Sequence, residues 1–432
     1  MSGGAVAHSR RTWAMRPSLD SRGARYCVFF ATYFYQGLIA GFSLTALANH
    51  LAARGVSAAE VGLHFAVAGL PWTVQPVLWG PLIDRAPDTR MGRRRPFAVA
   101  ALVGCHAALA ALLLLPDEPA VGFLSLVFLA HSLFASLLDT ACDRMIMDRV
   151  PEGEFGRVSA CTRAGFVTGT ALGGAVFAWT LSQVGFATSA RWLLAASVVA
   201  GLPVLLVREA PGDALVSLAR VGGPQRALPL ARFLRRLGLA LRRPRALRLL
   251  ALCFCLDAIL ALFELPFSVD LIQGRGWDPA ALSRWQAGLT LVSGTAGAVA
   301  IGLWSDRAGP VRPLRALLAA SAAAFMLAGG LIAAGSAGTA GPLILALTGT
   351  LPGLLIVALM PALLRASRGR AGAATQFEVY MAAMNLGSVA GSAVAGLIAP
   401  VLPLTAAAGL VAAVFAVAYR ATGRPDLLAP RG

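Results

Sequence analysis

Acidic and basic side chains set inside long apolar runs are where this chain can do chemistry. The run around 120–147 carries Asp139, Asp143 and Arg144, with Asp148 just beyond it. The run around 247–271 carries Asp257 and Glu264, with Asp270 near its outer end, where it is expected only to be solvated. A charge at membrane depth is costly, so each one needs a partner, water or a function. Asp139 and Asp143 are four residues apart and share a helical face; Arg144 and Asp148, with the same spacing, can pair. Asp257 and Glu264, seven apart, also share a face. Carboxyls so placed suit proton or cation binding. Asp257 is expected to do this; for Asp139 and Glu264 structural pairing stays open as the alternative.

Other polar and aromatic groups lie in the same runs. Gln36, Asn49, Gln75, Gln376 and Asn385 could line a substrate cavity, and Trp72, Trp79, Phe263 and Tyr380 could stack on a ligand, with interfacial anchoring as the alternative for Trp79. His50 and His64 read as interfacial, His106 and His131 as packing. Arg163 is the cation that stands inside an apolar run; snorkelling is expected, with an anion contact as the alternative. Deep carboxyls without a deep cation favour a neutral or cationic substrate over a multiply charged anion.

The elements that carry these groups follow from composition. The chain has 432 residues, of which 57% are hydrophobic and 13% charged, against roughly a quarter charged in ordinary soluble domains. Membrane-spanning helices need about 20 apolar residues each. Spans are predicted at 26–52, 58–83, 96–115, 120–147, 157–181, 190–207, 247–271, 280–304, 312–333, 341–364, 372–398 and 401–420. The fold class is therefore all-α integral membrane, with twelve transmembrane helices.

All 37 basic residues are arginine, and the net charge is +17. They fall in alternate connections, as the positive-inside rule requires, which argues against nucleic-acid binding. The turn Gly80–Arg95, the middle segment 208–246 and both termini are expected on the cytoplasmic side. The middle segment divides the chain into a basic N-terminus (1–25), a six-helix half (26–207), a linker (208–246), a second six-helix half (247–420) and a tail (421–432). It could hold an amphipathic helix around Leu228–Leu241 or be a solvated basic linker. The first apolar run has no convincing cleavage site and is expected to be retained. The six cysteines lie in or beside apolar runs, and Cys253 and Cys255 lack the spacing of a redox or zinc pair, so buried thiols are expected.

Two motifs recur at one offset. Gly80-x-x-x-Asp84-Arg85 returns 222 residues later as Gly302-x-x-x-Asp306-Arg307, and Gly165-x-x-x-Gly169 returns as Gly387-x-x-x-Gly391. Small residues four apart let helices approach closely in lipid. The chain thus reads as two pseudo-repeated six-helix halves. In this plan the run GPLIDRAPDTRMGRRR resembles the loop between the second and third helices of the major facilitator superfamily, a fold built of such repeats. LPWTVQPVLWGPLIDR, SLLDTACDRMIMDRVP, the Asp257-Ala258 pair and ATQFE look like its peptide, acetyl-CoA and drug transporter group, which includes siderophore transporters and muropeptide permeases. The Gly-Leu-Pro-Trp run at 69–72 is closer to the siderophore branch.

The resemblance implies a proton-coupled secondary transporter of the bacterial inner membrane, multi-pass and monomeric. Its partners would be the bilayer, a small-molecule substrate and protons, with the substrate held near the midplane. A siderophore is the expected cargo, and a muropeptide or drug-like cation the alternative. A receptor without transport is the reading from another class. Gly80, Asp84, Arg85, Gly92, Arg93, Arg94, Asp143, Arg144, Asp148, Asp306, Arg307 and Glu378 would form the cytoplasmic gate. No phosphate-cradling Gly-x-x-x-x-Gly-Lys, no Gly-x-Ser-x-Gly and no metal-ligand spacing is present, so no enzyme, cofactor or metal site is expected.

Overall fold

A computed structural model describes residues 17–54, 56, 58–221, 229–277, 279–368, 372–398 and 401–423. Among them every expected span is helical. The helices are α1 (Arg22–Gly41), α2 (Ala48–Ala53), α3 (Ala58–Asp84), α4 (Arg95–Ala110), α5 (Val121–Arg149), α6 (Phe155–Leu206), α7 (Leu230–Leu241), α8 (Pro244–Val269), α9 (Pro279–Val292), α10 (Ala298–Ala308), α11 (Val311–Ala333), α12 (Gly341–Ser367), α13 (Ala373–Ile398) and α14 (Leu404–Thr422). A π-helical turn at Phe42–Leu47 joins α1 to α2, and another at Ser293–Gly297 joins α9 to α10.

Helix α6 is too long for one span, and the sequence expectation of two is met by a break within it. Gly185 has φ 76° and ψ 179°, a conformation outside the helical region that glycine adopts readily. Ser189 Oγ donates to Thr180 Oγ1 at 3.0 Å. Nine residues of continuous helix would separate those groups by about 13 Å, so the chain folds back at Gly185. Large apolar side chains such as Val77, Leu114, Phe123, Trp179 and Val199 are exposed, as expected of faces that lipid covers. Nine helical stretches among the described residues are long and apolar enough to cross a membrane.

Two compact units are formed. The first comprises the described residues of Met1–Val150, Ala164–Phe233 and Gly369–Thr375, and the second those of Pro151–Arg163, Leu234–Arg368 and Gln376–Gly432. Each has a helix pair closed by glycines. In the first, a Cβ on Gly165 would stand 2.6 Å from the Phe30 carbonyl oxygen, and one on Gly169 2.8 Å from the Leu38 nitrogen, so α6 lies backbone to backbone on α1. In the second, a Cβ on Gly387 or Gly391 would collide with the Phe254 or Ala258 backbone of α8. The repeated Gly-x-x-x-Gly therefore makes the same contact twice.

Three carboxylates hold helix N-termini, where backbone N–H groups have no partner within the helix. Asp84 accepts from Ala374 N at 3.1 Å, Thr375 N at 2.9 Å and Thr375 Oγ1 at 2.9 Å, at the start of α13. Asp306 accepts from Gly156 N at 2.8 Å, Arg157 N at 3.1 Å and the Arg157 guanidinium, at the start of α6. Glu209 accepts from Arg94 N at 2.8 Å and Arg95 N at 3.0 Å, at the start of α4. Gly80 and Gly302 make room: a Cβ on Gly80 would lie 2.7 Å from Thr375, and one on Gly302 2.7 Å from the Ala160 Cβ.

The start of the middle segment is ordered rather than a free solvated linker. Ala214 N donates to Arg90 O at 2.6 Å, Arg90 N to Ala219 O at 2.8 Å, and Val221 N to Asp88 O at 3.1 Å. Further on, α7 is amphipathic: Leu230 and Leu234 are exposed and Phe233 is buried on one face, with Arg232, Arg235 and Arg236 around the other. The helix expected around Leu228–Leu241 is described over Leu230–Leu241, and residue 228 lies outside the described residues.

Because the helix pairs meet at glycine, Gly169→Leu and Gly391→Leu should each cost about 1–3 kcal/mol or more through overpacking. Gly330→Ala, where nothing lies within 4 Å, should be neutral or mildly stabilising. Asp84→Ala and Asp306→Ala should each cost about 1–3 kcal/mol by stranding buried donors, with Asp84→Asn intermediate. Thermal unfolding of the purified protein in micelles checks all six; unchanged unfolding of Asp84→Ala would remove its capping role.

Candidate functional site

The first unit brings together Asp139, Gln36 and Gln75, three groups that the sequence places in separate spans. Asp139 Oδ1 accepts from Gln36 Nε2 at 3.3 Å and Oδ2 from Gln75 Nε2 at 3.1 Å. One turn further along α5, Asp143 Oδ1 accepts from Tyr33 O–H at 2.6 Å and is buried. Tyr33 and Gln36 are three residues apart on α1, which puts both on the face that meets α5. That spacing from Gln36 is the signal in the sequence that points to Tyr33. The arrangement leaves one carboxylate held by two neutral amides and a second held by a phenol, a set that can bind a proton or a hydrogen-bonding cation.

A second polar chain runs beside it. His131 Nε2 and the Tyr35 hydroxyl are 3.2 Å apart, and both are buried. His131 is therefore a hydrogen-bonded histidine as well as a packed one. His64 was expected near the interface but is fully buried, with Ser43 Oγ 3.1 Å from Nε2 and Ser125 Oγ 3.1 Å from Nδ1. Trp79 is held by a hydrogen bond from Nε1 to Ser136 Oγ at 2.9 Å and is thus tied to α5.

The acidic groups of α8 differ from those of α5. Asp257 is half-buried and Glu264 exposed, and neither has a hydrogen bond or ion pair among the described residues. Asp270 is not merely solvated: its Oδ2 accepts from Arg275 Nε at 2.6 Å. Phe263 is no ligand platform. It is fully buried, stacked on Phe267 with 5.2 Å between centroids and edge-on to Phe325 at 5.2 Å, because it lies on the face of α8 that packs into the second unit's core. Tyr380 is also fully buried, and its hydroxyl accepts from Gln376 Nε2 at 2.7 Å. Glu378 is buried, Asn385 exposed and Trp72 half-buried. The side chain of Asn49 lies outside the described residues.

Around the Gly80–Arg95 turn the charges form a chain of pairs. Arg144 reaches Asp148 at 3.2 Å and Asp84 at 3.8 Å. Asp148 also meets Arg94 Nε at 3.2 Å, and Arg94 donates to the Ile83 carbonyl. Arg94 is fully buried; burial pulls its pKa below the ordinary arginine value, Arg144 adds to this and Asp148 opposes it. Arg93 donates to Ala86 O at 2.9 Å and Asp84 O at 3.3 Å. Arg95 was not singled out in the sequence, yet it donates to Val207 O at 2.8 Å, Leu205 O at 2.6 Å and Leu215 O. Gly92, at φ 100°, sits where a Cβ would strike Glu209, so both backbone and space demand glycine. Arg85 is half-buried and Arg307 exposed. Cys27 and Cys255 are exposed, contrary to the expectation of buried thiols, whereas Cys105, Cys142 and Cys253 are buried.

Comparison with known proteins places this geometry in a family. The model of the Major Facilitator Superfamily matches residues 26–379. No curated protein matches. Among solved structures, the E. coli fucose:proton symporter FucP is similar with a TM-score of 0.69 at 12% identity, over 93% of this chain and 97% of that one. A bacterial homologue of the iron transporter ferroportin, in an outward-facing state, has a TM-score of 0.66 at 12% identity, over 93% and 99%. The human organic anion transporter MFSD10 (TETRAN) has a TM-score of 0.63 at 16% identity, over 93% and 98%. At such identities these likenesses bear on the fold, and the family match covers most of the sequence: the chain belongs to the Major Facilitator Superfamily.

Proposed function

We propose that the protein is a proton-coupled secondary transporter of the bacterial inner membrane that moves a small molecule by alternating access, with both termini cytoplasmic. The observation that carries this is Asp257 and Glu264, two carboxyls on one face of a membrane helix with no ion pair among the described residues. Unpaired carboxyls at that depth are expected to exchange protons. Asp139, held by Gln36 and Gln75, is the proposed binding group of the first unit. Asp84, Arg144, Asp148 and Arg94 are the proposed gate, with Asp306 its repeat. A siderophore remains the proposed cargo on the resemblance of the motifs. The fold-level neighbours include a homologue of an iron transporter and a proton symporter, in keeping with this reading.

Proteoliposomes carrying a pH-sensitive dye test this reading. A panel of ferric siderophores, a muropeptide and a lipophilic cation is offered under an imposed pH gradient. One class should move protons with it. Asp257→Asn should abolish gradient-driven uptake while its thermal unfolding stays within about a degree or two of native, since an unpaired group makes few contacts to lose. Uptake by that variant at the native rate would end the coupling role of Asp257. Binding without flux of any panel member would instead favour a receptor.

A further inference from the structure

Arg163 does not behave as a snorkelling side chain. It stands eight residues into α6, about 12 Å from the helix start. Its guanidinium reaches further inward still. A Cβ on Gly353 would lie 3.9 Å from Arg163 Nη2 and 3.8 Å from Ser293 Oγ. Gly353 is 12 residues from the start of α12 and 14 from its end, and Ser293 is 14 residues from the start of the continuous run α9–α10. Both therefore lie near the middle of their helices, about 20 Å from either end at 1.5 Å per residue. A side chain drawn to the headgroups would point the other way.

At this depth the charge has no partner among the described residues. No ion pair or hydrogen bond joins Arg163 to another group among the described residues, and its Nε is buried with no acceptor. The terminal nitrogens remain partly accessible, since the residue as a whole is half-buried. An uncompensated cation inside a membrane protein is expensive and marks a pathway or ligand site. The surroundings leave room. Ser293 opens the π turn Ser293–Gly297, which locally widens the helix, and Gly353 opposite carries no side chain. Arg163, Ser293 and Gly353 all belong to the second unit.

We propose that Arg163, facing the same opening at Gly353 as Ser293, whose hydroxyl donates to Thr290 O at 3.3 Å, binds an oxyanion group of the transported molecule, a carboxylate or its equivalent. The planar fork of a guanidinium donates two parallel hydrogen bonds to such a group, and the bond is strongest out of water. This rests on the transport reading above and narrows it. The cargo carries a negative oxygen group for Arg163, and the purely neutral or cationic substrate expected from the sequence is set aside.

The test uses the purified full-length chain in micelles, followed by thermal unfolding with matched probe pairs: benzoate against benzamide, and glycerol phosphate against glycerol. An oxyanion should raise the unfolding temperature by a few degrees at about 100-fold excess over its Kd, and its neutral twin should not. Arg163→Gln should weaken that response by roughly tenfold or more, with Arg163→Lys between. Without ligand, Arg163→Gln should unfold at or above the native temperature, because it removes an unpaired charge. Absence of any oxyanion preference, an unchanged response in Arg163→Gln, or early unfolding of the empty variant would each overturn the assignment. Proteoliposome flux separates the two readings. Arg163-dependent binding without flux keeps the site and loses the transporter, whereas native-affinity flux through Arg163→Gln loses the site and keeps the transporter.

Discussion

The structure depends on one interaction made three times: a carboxylate from a distant part of the chain satisfies the free N–H groups at the start of a helix. Asp84 does this for α13, Asp306 for α6 and Glu209 for α4. Helix N-termini carry a partial positive charge and unpaired donors, so an anion there answers two demands at once. Near a membrane surface the alternative is a buried donor without acceptor, which costs about 1–3 kcal/mol. Each cap also draws in a segment remote in sequence. The described residues 372–375 join the first unit and 151–163 the second. Because Asp84 and Asp306 occupy equivalent positions of the repeat, the same joint serves both units.

Charge placement follows from the same economy of burial. Near the Gly80–Arg95 turn Arg93, Arg94, Arg95 and Arg144 each find an anion or a carbonyl, so Arg94 can be fully buried and still donate. Deeper in the membrane the pattern changes. Asp139 is held by neutral groups, the Gln36 and Gln75 amides, while Asp257, Glu264 and Arg163 have no ionic partner among the described residues. Charges that are paired at one end and, among the described residues, unpaired in the interior are the pattern on which the proposed ligand and proton sites rest.

Much of this was legible in the residues because the bilayer allows so few solutions. Apolar runs of spanning length must be helical, so the span boundaries match to within a few residues, and Gly185 divides the one helix that ran too long. The 222-residue repeat and the Gly-x-x-x-Gly pairs implied two similar bundles, and each pair meets a backbone. Asp139 and the two glutamines belonged to the expected cavity set, although nothing in their spacing joined them. The aromatic expectations fared worse. Phe263 lies on the packed side of α8, and a phenylalanine looks the same in sequence whether it faces core or cavity.

The sequence by itself determined the class of molecule: helical, membrane-spanning, duplicated, and charged in the alternating connections. Those follow from hydropathy and period, which are local properties. Tertiary structure alone decided partnership. That Asp84 caps a helix some 290 residues away, that Glu209 belongs to the turn, and that Arg163 reaches mid-membrane with no counter-charge among the described residues depend on which helix faces meet. Helix propensity and periodicity say which face is apolar but not which neighbour will cover it, and the chemistry of a buried charge is set by that neighbour.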